Sequence, residues 1–141
     1  MYFELAVDSK ERCEFVDITI RIGQLVSDSG VQEGLLSILV PHTTAGLCLN
    51  ENWDPDVSAD VLTALDRLVP QDIGSAQQAG YRHVEGNSAA HIKASLMGAS
   101  QVIPVHRGRL ALGRWQGIYL VEFDGPRSRS VVVTLWAESP R

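Results

Sequence analysis

With 141 residues, 45% of them hydrophobic and 21% charged, the chain has the length and composition of one globular domain and is too short for two ordinary ones. A formal net charge of −5 excludes a broad basic surface for nucleic acid, so any anionic ligand must be held locally. The longest apolar stretch, GLLSILVP, is far shorter than a membrane span, and MYFELAVDSKERCEFV meets charge too early for a secretory signal; the expectation is a cytoplasmic protein that does not engage a membrane.

Cys13 and Cys48 are the only cysteines and form no CxxC, which suggests neither a disulfide framework nor a thiolate zinc knuckle. A bound metal would need histidine and carboxylate ligands.

MYFELAV and EFVDITI read as strands by alternation, separated by the polar turn DSKER, and IRIGQLVSDSG begins a short helix that stops at Gly30. LLSILVPHTTAGLCLNE is too long for one flat strand and divides into two segments that meet near His42. In DPDVSADVLTALDRLV, Asp54 caps, Pro55 suits the first helical position, and Val57, Val61, Leu65 and Leu68 recur on one face. The polar, glycine-punctuated PQDIGSAQQAGYRHVEGN has no period and reads as a long surface loop. SAAHIKASLMG is a second helix, capped by Asn87 or Ser88, with Ile92 and Leu96 facing inward and Gly98 ending it. SQVIPVHRGRLALG looks like a strand pair about Arg107–Gly108, and GIYLVEF and SVVVTLWA flank DGPRSR as a hairpin. Strands without a βαβ rhythm argue for an α+β domain, residues 1–141, with largely antiparallel sheet and helices on one sheet face.

Alternation in HTTAGLCLNE places Ala45, Leu47 and Leu49 on one face and His42, Thr44, Gly46, Cys48 and Asn50 on the other. The second row is either a solvated face or a binding surface on which Gly46 leaves room for a ligand. Glu51 is either a solvated carboxylate or a metal ligand or base near His42. His91, Ala94, Ser95 and Gly98 form a small, polar helix face against which another backbone, or a ligand, can come close. His83 precedes His91 by eight residues with Gly86 between them, so no HExxH geometry exists and only a folded-back loop unites them. His42, His83 and His91 could together hold a divalent ion, zinc or magnesium, with an open coordination position; dispersed roles are the alternative. His106 reads as a surface turn residue. Asp124, Arg127 and Arg129, with Glu122 just before, either clamp a phosphate or solvate a turn. Trp115 either stacks on a flat ring or packs.

HTTAGLCLNENWDPDV with Asp60, GYRHVEGNSAAHIKASLMG, VIPVHRGRLALGRWQGIYLVEFDGPR and RSVVV together resemble the YjbQ or UPF0047 family, also called the secondary thiamine-phosphate synthase family, over nearly the whole chain. The resemblance implies sheets packed as a sandwich with two or three helices, a homotrimer, and a histidine-lined pocket for a small phosphorylated metabolite. It implies catalytic roles for His42, Asn50, Glu51, His83 and His91, and substrate contacts by Thr43, Thr44, Asn87, Trp115, Gln116, Glu122, Asp124 and Arg127, with Asp54 also at a motif position. The implied activity is a weak thiamine phosphate synthase reaction; a zinc-dependent hydrolase of a small phosphate ester or amide and a non-enzymatic trimeric metal- or metabolite-binding protein are the alternatives. Where the family usually has Gly-Thr-Trp-Gln, this chain has Gly113-Arg114-Trp115-Gln116, a large cation in place of a hydroxyl.

Overall fold

The structure, a computed structural model, describes residues 1–71 and 80–139. Residues 72–79 of the expected long loop lie outside the described residues. In chain order the elements are β1 (Tyr2–Asp8), β2 (Glu14–Asp17), α1 (Thr19–Ser29), β3 (Glu33–Leu39), β4 (Ala45–Glu51), α2 (Pro55–Leu68), α3 (Ser88–Met97), β5 (Ser100–His106), β6 (Arg109–Leu110), β7 (Gln116–Glu122) and β8 (Ser128–Ala137). The strands form two antiparallel sheets, a five-stranded one ordered β1-β8-β3-β5-β6 and a three-stranded one ordered β2-β7-β4. This is the expected α+β class.

The two sheets bury Leu36, Ile38, Leu47, Ile118, Leu120, Val131 and Val133 between them, and Ile22 and Val26 of α1 join the same core. Ala45, Leu47 and Leu49 do face it, as alternation requires. A second cluster on the other side of the small sheet joins Tyr119, Val121 and Phe123 to Ala90 and Ala94 of α3 and Leu62 and Leu65 of α2. Both α2 and α3 therefore lie outside the small sheet. No helix among the described residues is long and apolar enough to cross a membrane.

Local chemistry sets several boundaries. The strand expected over 14–20 stops at Asp17, whose carboxylate accepts from the Thr19 N–H and hydroxyl and so starts α1. Gly30 ends that helix in the left-handed region. Asp54 accepts from the Asp56 N–H and Pro55 opens α2. Arg107 and Gly108 both take positive φ, the conformation of a tight two-residue hairpin between β5 and β6.

Three expectations are corrected. β7 and β8 do not form a hairpin: β7 already has β2 and β4 on its two edges, so β8 crosses to the large sheet and pairs with β1 and β3. Ile92 and Leu96 of α3 point outward, and the inward side carries Ala90, Lys93 and Ala94, the two alanines letting the helix lie close to the small sheet. Gly46 is not open to a ligand: a Cβ there would meet the Met97 side chain and the Gly98 carbonyl oxygen at 2.9 Å. The Leu47 N–H donates to that same carbonyl at 2.9 Å, which locks helix to strand.

Gly46→Val is therefore expected to push α3 off β4 and lower unfolding stability by about 1–3 kcal/mol, read as a reduced urea midpoint. An unchanged midpoint would show that the contact is loose.

Candidate functional site

Three of the connections that carry the chain between the sheets, at residues 9–13, 40–44 and 123–127, lie by strand register at one end of the sandwich. They are tied to each other. The Ser9 N–H donates to the Arg127 carbonyl at 2.9 Å, the Phe123 N–H to the Thr44 carbonyl at 3.2 Å, and the Gly125 N–H to the Arg12 carbonyl at 2.9 Å.

At their centre lies Glu122, fully buried. One of its oxygens accepts from the Ser9 hydroxyl at 2.6 Å and Arg129 Nε at 2.9 Å; the other accepts from Arg129 Nη2 at 2.5 Å and from the N–H groups of Phe123 and Asp124 at 3.1 Å. Burial alone would raise the pKa of this carboxyl, but Arg129, Ser9 and the Asp124 N–H outweigh it and hold it below the usual glutamate range. A side chain enclosed by five donors has no face for substrate, so the direct contact expected of Glu122 is replaced by an organising role. Arg129, also buried, is likewise no phosphate clamp: its Nη2 continues to the Thr44 hydroxyl at 2.8 Å.

His42 sits in the 40–44 crossover, off the strand on which alternation put it, and its Nε2 accepts the Ser130 N–H at 3.0 Å. Desolvation, and then the positive charge of Arg129, lower its pKa below the ordinary histidine value. Thr43 is exposed and Thr44 buried on the same crossover.

α3 begins beside these loops. Asn87 occupies its N-cap position, but its side chain does not cap: Nδ2 donates to Asp124 Oδ2 at 3.0 Å, and Oδ1 is buried without a hydrogen-bond partner among the described residues. Asp124 also accepts from Arg127 Nη2 at 2.9 Å. Burial opposes ionisation of Asp124, yet Asn87 and Arg127 keep its pKa below normal. The folded-back loop does bring His83 to His91, with ring centroids 5.3 Å apart and edge to face.

Three hollows border α3 and the loop that leads into it. One, about 490 Å³, is lined by Tyr81, Arg82, His83, Ser88, His91 and Ile92. A second, about 450 Å³, has His42 and Thr43 facing His91, Ala94, Ser95 and Gly98, the small-residue face expected of this helix. The third, about 320 Å³ and strongly polar, lies among Arg12, Glu85, Asn87, Asp124 and Arg127. Arg12 was not foreseeable from the sequence, where it is one charge in a polar turn. A further hollow of about 550 Å³ beside Gly30, Glu33 and Glu138 has neither imidazole nor cation and offers no such chemistry.

The remaining candidates lie elsewhere. Asn50, Glu51, Trp115 and Gln116 are at the opposite end of the small sheet, where Glu51 pairs with Gln116 while Ala45 pairs with Glu122. Six residue steps along a strand separate the ends, about 20 Å. Trp115 is 47% exposed and does not pack into the core; it meets Trp53, itself 77% exposed, edge to face at 5.9 Å. Arg114 lies over the Trp115 ring at 4.8 Å, so the unusual cation is used on the aromatic pair. Asp54 does what its helix cap requires.

The three-imidazole metal set does not assemble. His83 and His91 are neighbours, but the Nε2 lone pair of His42 is occupied by a backbone N–H, and among the described residues no three His, Cys, Asp or Glu side chains come close enough to hold an ion. His83 and His91 border the first hollow, and Arg12 and Arg127 share the third with the carboxylates of Glu85 and Asp124 and the Asn87 amide, so polar groups of both signs surround the helix start.

Fold and cleft together define an α+β sandwich with a small-molecule-sized site at its crossover end. The match to the UPF0047, YjbQ-like family covers residues 3–138, and the chain belongs to that family. It is 45% identical over 135 residues to a UPF0047 protein of Methanocaldococcus jannaschii, covering 96% of this chain and 94% of the relative. It is 44% identical to the UPF0047 protein YugU of Bacillus subtilis, covering 93% and 96%. The crystal structure of an uncharacterized YjbQ/UPF0047 protein of Clostridium acetobutylicum superposes with a TM-score of 0.87 at 49% identity, covering 95% and 99%. A YbjQ-like protein of unknown function from Sulfolobus solfataricus has the same TM-score at 34% identity, covering 98% and 97%.

Glu122→Gln leaves a buried guanidinium without its charge partner and is expected to cost about 3–5 kcal/mol in unfolding free energy. Because the folded pKa of Glu122 is depressed, its contribution is present above the unfolded glutamate pKa of about 4.3 and is lost as pH falls through the folded value. Urea titrations across acid pH should show this loss in the wild type and a flatter profile in the variant.

Proposed function

We propose that the cleft around the start of α3 binds a small phosphorylated metabolite and supports a transferase reaction of the thiamine-phosphate-synthase type. The observation that carries this reading is the convergence of Arg12 and Arg127 with the side-chain-uncapped first turn of α3, next to His83 and His91. A phosphate group suits the first set; the imidazoles flank the remainder of the ligand.

In this reaction the nitrogen of a thiazole phosphate attacks the carbon of a pyrimidine diphosphate that bears the diphosphate. A C–N bond forms, the C–O bond breaks, and the electron pair leaves on pyrophosphate. No proton comes off the attacking nitrogen, so the protein must stabilise a leaving anion more than it must supply a base. A cleft with several cationic and N–H donors matches that demand.

The second cluster of motif residues, Asn50, Glu51, Trp115 and Gln116, cannot reach this cleft within one chain. In a homotrimer, the assembly the family resemblance implies, head-to-tail contact would bring one copy's aromatic end against the next copy's histidine end, which a heterologous interface permits.

Purified protein given both substrates should release pyrophosphate, and either substrate alone should give none. His91→Ala should lower the rate by about 10²-fold or more. Release without the thiazole phosphate would instead favour hydrolysis, and no release under any condition would remove the transferase reading.

In solution the protein should have about three times the 15.4 kDa chain mass by light scattering. Co-expressed His91→Ala and Trp115→Ala chains should regain part of the activity that each has lost alone. Absence of any recovery would place the aromatic end outside the site.

A further inference from the structure

We propose that Arg129 is a positioning residue: anchored by Glu122, it holds the 40–44 crossover so that His42 offers the cleft a hydrogen-bond-donating Nδ1–H instead of a lone pair. The proposal rests on the reading of that cleft as the ligand site, but its geometry is independent of which reaction occurs there.

Two consecutive residues grip the crossover from β8. Arg129 donates to the Thr44 hydroxyl at 2.8 Å and to its carbonyl at 3.4 Å, while the next backbone N–H, from Ser130, donates to His42 Nε2 at 3.0 Å. A peptide N–H can only donate, so Nε2 is the acceptor and the neutral ring carries its proton on Nδ1. This is the reverse of the tautomer that histidine prefers free in water. The ring borders the hollow that faces His91 and Ser95, and Nδ1 has no protein partner among the described residues. Burial first, and then the guanidinium beside it, oppose a second proton, and the pKa of His42 is lowered accordingly.

Arginine is required for a geometric reason. Nε and Nη2 take the two Glu122 oxygens as a fork, and Nη2 still reaches Thr44. Lysine would retain the charge but could not span both partners. The ligand atom at His42 must then be an acceptor, such as a phosphoryl oxygen, and a cation is disfavoured at that position.

The test is tautomer-resolved NMR of 15N-histidine-labelled protein at neutral pH, with inorganic pyrophosphate and zinc as separate probes. In the wild type His42 should show a pyrrole-like Nδ1 and a pyridine-like Nε2; pyrophosphate should shift Nδ1, and zinc should leave the His42 ring unmoved. Arg129→Lys should retain the fold by circular dichroism but lose the single tautomer, with both nitrogens moving to averaged positions. Should Arg129→Lys fail to fold, Thr44→Val provides the second arm, since it leaves the Glu122 pair intact and removes one tie to the crossover; a partial loss of the Nδ1–H form is then expected. A wild-type ring protonated on Nε2, zinc bound through Nε2, or a tautomer indifferent to both substitutions would overturn the proposal. A fixed Nδ1–H tautomer that depends on Arg129 supports it even where pyrophosphate does not bind, in which case it is the phosphate-binding reading that fails.

Discussion

The buried pairing of Glu122 with Arg129 is the constraint on which this end of the molecule depends. Taking a carboxylate and a guanidinium out of water is costly, and the cost is offset only when every lone pair and N–H has a partner. Here the carboxylate receives five donors from Ser9, Phe123, Asp124 and Arg129, so the groups satisfying it come from two crossovers and from β8 of the large sheet. The ion pair thereby decides where β7 ends and β8 begins in the other sheet. An apolar pair of the same volume could fill the space but could not orient Thr44, and with it the crossover that carries His42.

A second constraint positions the other wall of the cleft. α3 approaches β4 closely because Gly46 faces Met97 and Gly98, and Ala90 and Ala94 are the residues it turns inward. Lys93, buried on the same side, donates to Asp66 of α2, which joins the two helices through a charge pair whose acid remains half in solvent. With α3 fixed this way, its start falls beside the crossovers, and Asn87 reaches Asp124 instead of capping its own helix. The cleft is thus a consequence of how tightly a small-residue helix sits on a strand.

Much of the element pattern was legible because it is local. Asp54-Pro55 announces α2, Gly30 ends α1, and Arg107-Gly108 turns the short hairpin, each through chemistry confined to a few residues. What failed was long-range: which sheet a strand joins depends on edge occupancy, so the β7–β8 hairpin reading had no means of knowing that β2 and β4 already flank β7. The inward side of α3 was misjudged because hydrophobicity favours Ile92 and Leu96, whereas the geometry of close approach favours alanine. The His83–His91 meeting was legible from Gly86 and the loop, and the grouping of His42 with His91 from the motif. The separation of Asn50, Glu51, Trp115 and Gln116 from them was not, since a motif list carries no distances.

The chemical inventory around α3 narrows what such a cleft can do. Burial raises the thiol pKa of both Cys13 and Cys48, so neither is poised as a thiolate nucleophile at neutral pH. Glu122 and Asp124 are held ionised by their hydrogen-bond donors, so neither is a proton donor there. His42 spends its lone pair on Ser130. Arg12, Arg127, the first turn of α3 and the Nδ1–H of His42 remain as donors, beside the imidazoles of His83 and His91 and the carboxylate of Glu85. A site composed this way favours chemistry in which negative charge gathers on a departing group over chemistry that needs a strong base or a covalent intermediate.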